Sequence, residues 1–441
     1  MKTIAVKTIG CKLNQYDSQA IAEPFLKHGY SWVKFDQPAD VYIINTCTVT
    51  GRADYSSRQA VSRAARTANA DGNKKGIVVV TGCYAEVDPD ALESIEGADL
   101  VIGNRGKANI YRIVSDYLET GIIPPLDEVH PAEQCSVWGR AISEMKGYSR
   151  AFIKIQDGCN SNCSYCIVPR ARGEETSRSL EEITGEIERL SSTGYNEIVL
   201  TGVHIGRYKY NGLDFPGLLK EILTGAGPRI RFSSIEPNEI NDKLIAVISG
   251  NSRFCRHIHI PVQSGSDRIL RAMNRGYRAE KIRRIAADLH NAVNGLTLGA
   301  DFITGFPGET DEDFKHSETI ASEARFGYLH VFTYSDRPDT KAARMKEKVD
   351  SEVKSKRTGE LIRLSSSLIE ANLKANIGKT GEVILESRKH RATGMFTGIS
   401  DNYLRAVFPE CSSEYGRLAR VRYKAHAGEG KYQYLLSEID D

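Results

Sequence analysis

Gly158-Cys159-Asn160-Ser161-Asn162-Cys163-Ser164-Tyr165-Cys166 carries the clearest chemical signal in this chain. Three cysteines stand in a Cys-x3-Cys-x2-Cys run, directly after the apolar, strand-like residues 151–155. One short loop can turn three thiolates toward a single point. Three is one fewer than a closed tetrahedral zinc site or a fully ligated four-iron cluster needs. The shortfall points to an iron–sulfur cluster with one iron left open for a substrate or cofactor. The alternatives are a zinc site completed by a distant fourth ligand and three unrelated buried thiols. No His or Cys follows closely enough to complete a zinc knuckle.

Length and charge bound the rest. The chain has 441 residues, enough for two to four domains. Its 59 basic and 57 acidic residues nearly cancel, leaving a formal charge of +2. Any nucleic-acid surface is therefore local. No apolar run reaches the length of a membrane span, and the first residues read as a strand. A cytoplasmic protein without a membrane partner is expected. Nine cysteines argue for metal–sulfur chemistry over a disulfide scaffold.

Residues 1–125 alternate strand and helix patterns, with strands expected at 3–8, 40–45, 76–80 and 100–102. Helices are expected at about 14–28, 52–69, 88–96 and 106–119. This alternation predicts an α/β unit with a parallel sheet. Cys11, Cys47 and Cys83 each stand just past a strand, where open parallel sheets bind ligands. Three thiols at three such ends predict a second cluster site with one open iron. A linker at about 122–148 contains Pro124, Pro125 and Pro131, with Cys135 read as structural.

Residues 149–335 hold six strand candidates, at 151–155, 197–200, 230–233, 257–260, 297–303 and 328–333. Each is followed by a loop and usually a helix, which predicts a partial (β/α)6 barrel with its active site at the carboxyl ends of the strands. Gly202 and Gly206 offer close backbone approach to a ligand there. The polar and glycine residues at these ends suit a small ligand with an amino-acid end and a nucleoside end. His204, His257 and His259 are read as hydrogen-bonded structural residues, and Cys255, which precedes a strand, is left out of the metal sites. Arg170, Arg172 and Arg178 either hold phosphate or nucleotide near the open iron or form loop salt bridges.

Residues 342–375 read as a connecting helix. Five short strands, at 381–385, 392–397, 404–408, 418–423 and 432–439, predict a small OB-like β-barrel over 375–441. Arg388, Lys389 and Arg405, with Tyr403 interspersed, suit a nucleic-acid surface of cations and stacking rings. A merely solvated basic face is the plainer reading.

These segments together resemble the radical S-adenosylmethionine (SAM) methylthiotransferases over nearly the whole chain. The resemblance rests on Gly10-Cys11-Lys12-Leu13-Asn14, Asn45-Thr46-Cys47, Gly82-Cys83, the Cys159/Cys163/Cys166 motif with Pro169-x-x-Arg172-Gly173, Pro261-Val262-Gln263-Ser264-Gly265-Ser266 and a terminal TRAM-like barrel. Gln156-Asp157-Gly158-Cys159 and Leu200-Thr201-Gly202-Val203-His204-Ile205-Gly206 look most like the branch acting on N6-threonylcarbamoyladenosine at tRNA position 37. Sister branches act on isopentenyladenosine at that position or on a ribosomal-protein aspartate. The family pattern usually has Gly where Asp339 stands. The resemblance implies two [4Fe-4S] clusters and SAM. It implies SAM contacts from Tyr165, Gly202, Ser234, Glu236, Gln263 and Ile303. It places Arg170, Arg172, Arg388, Lys389, Tyr403 and Arg405 against the tRNA anticodon loop. It further implies an electron donor such as flavodoxin or ferredoxin, and a sulfur source. A non-catalytic iron–sulfur RNA-binding protein is the rival reading.

Overall fold

The computed structural model describes residues 2–69, 76–122, 141–409 and 415–440. The prolines of the expected linker and Cys135 lie outside these described residues.

The N-terminal sheet contains β1 (Thr3–Thr8), β2 (Ser31–Val33), β3 (Val41–Thr46), β4 (Ile77–Gly82) and β5 (Leu100–Ile102), ordered β2-β1-β3-β4-β5 and all parallel. Every residue of the central strand β3 is buried, as its unbroken apolar start requires of a strand covered on both faces. Val41 and Ile43 pack with Ile21 and Phe25 of helix α1 (Lys12–Lys27), while Tyr42 and Ile44 pack with Val61 and Ala64 of α2 (Gly51–Ala68). The two-residue alternation of a strand sends these side chains to opposite layers. Sequence periodicity missed β2, which has only three residues at the sheet edge. The helix expected at 88–96 is instead two short helices, α3 (Cys83–Val87) and Pro89–Glu93, broken where Asp88 caps the second.

The central unit has six strands, β6 (Ala151–Lys154), β7 (Glu197–Thr201), β8 (Arg229–Phe232), β9 (His257–Gln263), β10 (Thr297–Thr304) and β11 (Tyr328–Thr333). They form two parallel triplets, β6-β7-β8 and β9-β10-β11. A bridge from Ile230 to Phe254 and a bond from Ile235 N to His259 O (3.0 Å) join the triplets into one curved wall. Helix α1 packs on β6, and Tyr16 belongs to the same apolar core as Ile153, Val199 and Leu200. The N-terminal unit thus covers the β6 side of the barrel.

The connecting helix, Ser351–Lys374, starts later than expected, at a cap supplied by Asp350. Its Leu361 enters the barrel core and its Leu373 the core of the terminal unit. That unit is a closed five-stranded barrel of β12 (Thr380–Leu385), β13 (Phe396–Ser400), β14 (Arg405–Phe408), β15 (Leu418–Ala427) and β16 (Tyr434–Ile439). Strand β13 begins four residues later than the pattern at 392–397 suggested. Gly394, at φ +70, donates to His390 O and holds the preceding residues in a turn.

Candidate active site

Both cysteine sets stand at carboxyl ends of parallel strands. Cys11, Cys47 and Cys83 follow β1, β3 and β4, which are neighbours in the sheet. The backbone brings their loops into contact. Gly10 lies at φ +106, and a Cβ there would sit 2.7 Å from the Cys47 Cβ and 2.9 Å from its Sγ. Gly82 lies at φ +105, and a Cβ there would sit 2.4 Å from Thr46 O. Only glycine meets both demands. Asn14 Nδ2 donates to Ile9 O (2.8 Å) and Thr46 O (2.9 Å), tying the first loop to the second.

The Cys159 loop leaves the end of β6. Gly158, at φ +74, has Glu174 O where a Cβ would be, so the chain from Pro169 to Glu174 crosses directly over the loop. Cys159 N donates to Gly173 O at 3.0 Å, and Ser164 N to Met273 O at 3.0 Å. The Cys159 Sγ lies 3.7 Å from His204 Nδ1. Burial would lower the His204 pKa, but its contacts with Cys159 and Glu239 hold it up at about 10. Burial would likewise raise the Cys159 pKa, yet bonds from His204 and Ser161 pull it below the ordinary thiol value. Cys163 and Cys166 are pushed up by burial, Cys166 to about 12, and Cys47 rises to about 12 by burial and the neighbouring Cys83. Neighbouring thiols that raise one another in this way, all free of disulfides, fit metal ligation, which makes thiolates of them.

The two sets share a wall. Cys83 packs against Val87, Ile167 and Ala171, and Ile167 is the residue after Cys166. Asn104 Nδ2 lies 3.7 Å from the Cys83 Sγ and also donates to Ala171 O. Below this wall, Asp17 of α1 accepts from Lys154 (2.9 Å), Lys107 (2.9 Å) and Arg172 (3.3 Å). Arg172 also donates to both oxygens of Asp157, at 3.0 Å.

Of the residues expected around SAM, Gly202, Ser234, Gln263 and Ile303 stand at or just past the carboxyl ends of β7, β8, β9 and β10. Ser234 is exposed at the end of β8. Gln263 ends β9 in the left-handed region, φ +65, beside a register shift in the ladder. Such strain in a non-glycine residue gathers at functional sites. Tyr165 and Ile303 pack on the apolar group of Ile269, Met273, Phe306 and Tyr334. The space a Cβ would need at Gly202 holds Gln156, and that at Gly206 holds Glu239, so both positions require glycine for close packing of the protein on itself. Glu236 is paired with Arg275, a residue that sequence patterns did not single out. The Arg275 side chain is only 6% exposed and donates also to Cys163 Sγ (3.4 Å), Tyr165 OH (3.4 Å) and Pro261 O (3.2 Å). No local motif marks it. The preceding Asn274, at φ +58, turns it back toward the loop.

Two expected RNA contacts lie inside the molecule. Arg172 is enclosed in the carboxylate network above and does not reach an RNA surface. Tyr403 stacks on His257 with ring centroids 4.2 Å apart, and the Arg231 guanidinium lies 5.2 Å from its ring. It seats the terminal barrel on the amino-terminal end of the central barrel. Arg229 and Arg231 anchor the same interface, donating to Ile399 O (2.9 Å) and Ser400 O (3.0 Å) while Glu197 pairs with both. Arg178 pairs with Glu186 in the core. Arg388, Lys389 and Arg405 are exposed. Arg170 is half-exposed and pairs with Asp339. Asp339 sits at φ +62, which explains the glycine that usually stands there. His257 and His259 bond to Tyr328, at 2.8 and 3.0 Å. Cys255 is buried and precedes β9, at the opposite end of that strand from Gln263.

Residues 153–319 match the radical SAM superfamily and residues 3–103 match uncharacterized protein family UPF0004. The solved radical SAM methyltransferase TsrM from Kitasatospora setae shares the fold, with a TM-score of 0.57 and 15% identity over 78% of this chain and 77% of that one. The fold is that of a radical SAM enzyme, a class that works with SAM and a [4Fe-4S] cluster. Threonylcarbamoyladenosine tRNA methylthiotransferase MtaB of Bacillus subtilis is 38% identical over 96% of this chain and 94% of its own length. The protein of that name from Aquifex aeolicus is 35% identical, over 95% and 99%. tRNA-2-methylthio-N(6)-dimethylallyladenosine synthase of Endomicrobium trichonymphae is 34% identical, over 98% and 99%. The chain belongs to the radical SAM methylthiotransferase family. Among the described residues no helix is long and apolar enough to cross a membrane.

Proposed function

We propose that this enzyme methylthiolates C2 of N6-threonylcarbamoyladenosine at position 37 of tRNA. The observation that carries the reading is the wall shared by the two thiol sets, Cys83 against Ile167 and Ala171. It supports a reaction in which two sulfur-bound centres work side by side. The end-to-end likeness to relatives named for that reaction supports the substrate.

Residues 149–335 act as the radical SAM domain, with Cys159, Cys163 and Cys166 holding one [4Fe-4S] cluster. Residues 1–125 hold a second at Cys11, Cys47 and Cys83. When bound, SAM and these clusters supply the radical that takes hydrogen from C2 and the sulfur that replaces it. The protein's own part is placement. Arg275 fixes Cys163, Tyr165 and Glu236 relative to the end of β9. The Asp17 network fixes one thiol set against the other. Tyr165, Gly202, Ser234, Glu236, Gln263 and Ile303 ring the place for SAM. The terminal unit, 375–441, offers Arg388, Lys389 and Arg405 to the RNA, and Arg170 stands at the rim of the site. An electron donor of the flavodoxin or ferredoxin kind and a sulfur source complete the system.

Mass spectrometry of tRNA nucleosides from a strain lacking the gene tests the substrate. Loss of the methylthio group from the threonylcarbamoyl nucleoside alone is expected. Loss from the dimethylallyl nucleoside, or from neither, refutes the assignment. Anaerobic incubation with SAM and dithionite should yield 5′-deoxyadenosine, which a non-catalytic iron–sulfur protein would not make.

A further inference from the structure

Strand alternation divides the side chains of β9, β10 and β11 between two faces. Ile258, Ile260, Leu298, Ala300, Phe302 and Leu329 join the apolar core under the helices. His259, Asp301 and His330 therefore stand on the other face, inside the curved wall. The ladders set Asp301 opposite His330 and His259 opposite Gly299. His259 Nε2 lies 2.8 Å from Asp301 Oδ1, and His330 Nδ1 lies 3.4 Å from the same oxygen. The three side chains bring one ligand atom each to within 4.8 Å of the others. None of them belongs to either thiol set.

His259 is held from behind. Gly299 leaves β10 bare where a Cβ would meet the Tyr328 ring at 2.2 Å and His259 Nδ1 at 2.7 Å. Tyr328 crosses the strand there and places its hydroxyl 3.0 Å from His259 Nδ1 and 2.8 Å from His257 Nε2. With Nδ1 engaged, His259 presents Nε2 to Asp301. An imidazole fixed through one nitrogen, its other nitrogen turned to further ligand atoms, is how metal-binding histidines are built. Among the described residues no lysine or arginine pairs with Asp301; its ion-pair partners are the two histidines.

Two histidines and one carboxylate form a donor set for a divalent first-row metal such as Zn²⁺ or Fe²⁺. We propose that His259, Asp301 and His330 bind one such ion inside the barrel, separate from the two clusters. The ion ties β9 and β10 to β11, the outermost strand of its triplet. Three protein ligands leave at least one coordination position for water or another oxygen donor. The His330 side chain is 56% exposed, so the ion is reached from solvent. Along β10 the site stands one inward-facing residue before Ile303.

The test uses the full-length, cluster-loaded protein under anaerobic conditions, cleared of loose metal by a chelator and titrated with Zn²⁺. Wild type should hold one zinc per chain with micromolar or tighter affinity. Its zinc X-ray absorption should show nitrogen and oxygen ligands at about 2.0–2.2 Å and no sulfur at about 2.3 Å. His330→Ala alters an exposed side chain and should fold. It should weaken zinc binding at least ~10-fold, the least that losing even an outer partner of a ligand costs. Asp301→Ala should do the same. Zinc should raise the unfolding midpoint of wild type and leave that of His330→Ala in place. Three results overturn the assignment: no zinc held at micromolar affinity, zinc held through sulfur, or a smaller loss of affinity in His330→Ala. Any of them makes the three side chains a hydrogen-bonded group only.

Discussion

Arg172 Nη2 donates to Asn14 Oδ1 at 2.6 Å. The bond joins the short helix Val168–Arg172, which follows Cys166, to helix α1, which follows Cys11. Asn14 holds the Cys11 and Cys47 loops together through Ile9 O and Thr46 O. One guanidinium thus bears on both thiol sites. Removing it leaves Asp17 and Asp157 buried with fewer counter-charges, a loss of about 3–5 kcal/mol for a broken buried pair. Arg172→Met should lower the unfolding midpoint accordingly. In the protein that remains folded, 5′-deoxyadenosine formation should persist while methylthiolated product falls. Product and deoxyadenosine falling in step would mean that Arg172 serves only the first thiol set.

The two thiol sets should separate by iron content. A Cys11/Cys47/Cys83 triple Ala variant should lose about half its iron and sulfide, since each set would hold one four-iron cluster. It should still cleave SAM and make no methylthiolated nucleoside. Cys163→Ala should abolish cleavage itself. An unchanged iron count in the triple variant would rule out the second cluster.

Gly10→Ala tests whether the second set is built by backbone approach. The added methyl would need the space of the Cys47 Cβ and Sγ and a φ of +106 that alanine rarely takes. The Cys47 sulfur must move. Iron bound by the Cys11 set should fall while that of the Cys159 set stays, as read by iron analysis against the triple variant. Full iron retention would show that the loop relaxes without disturbing the thiols.

Much of this arrangement is legible in the amino-acid sequence. Strands β1, β5 and β11 fall where the sequence pattern predicts them. The thiols were legible because each follows a strand, and in a parallel sheet all such positions share one edge. Arg172 and Tyr403 were misread for one reason. A cation or ring near a motif looks like a ligand contact when its partners are far away in sequence. Arg172 meets Asn14 and Asp17 of the N-terminal unit, and Tyr403 meets His257 of the barrel. Arg275 was silent for the complementary reason, since its place depends on a left-handed Asn274 that no pattern announces.

Asp17 makes the junction of the two units acid-sensitive. Burial would raise its pKa, but Lys107, Lys154 and Arg172 hold it far below the usual carboxylate range. A carboxylate whose folded pKa lies below the unfolded value of about 3.9 stabilises fully above that value and loses its contribution as pH falls below it. Urea midpoints should therefore drop as pH falls from 5 toward 3. Asp17→Asn should start lower at pH 7 and show a shallower drop. Parallel curves for the two proteins would mean that the acid sensitivity lies elsewhere.

Deleting the terminal barrel is a poor test of RNA binding, because it uncovers Arg229, Arg231 and His257, which the barrel seats. Charge reversal on its exposed face avoids this. Arg388, Lys389 and Arg405 are exposed, and none is in an ion pair among the described residues. Changing all three to Glu should leave thermal stability within about 0.5 kcal/mol per site, as for surface substitutions generally. Each phosphate contact contributes about 0.7–0.9 to the slope of log affinity against log salt. The triple variant should bind tRNA more weakly and with a slope smaller by about 2–3. Affinity and slope both unchanged would make this face a solvated one and move the RNA path toward Arg170 at the rim of the cysteine loops.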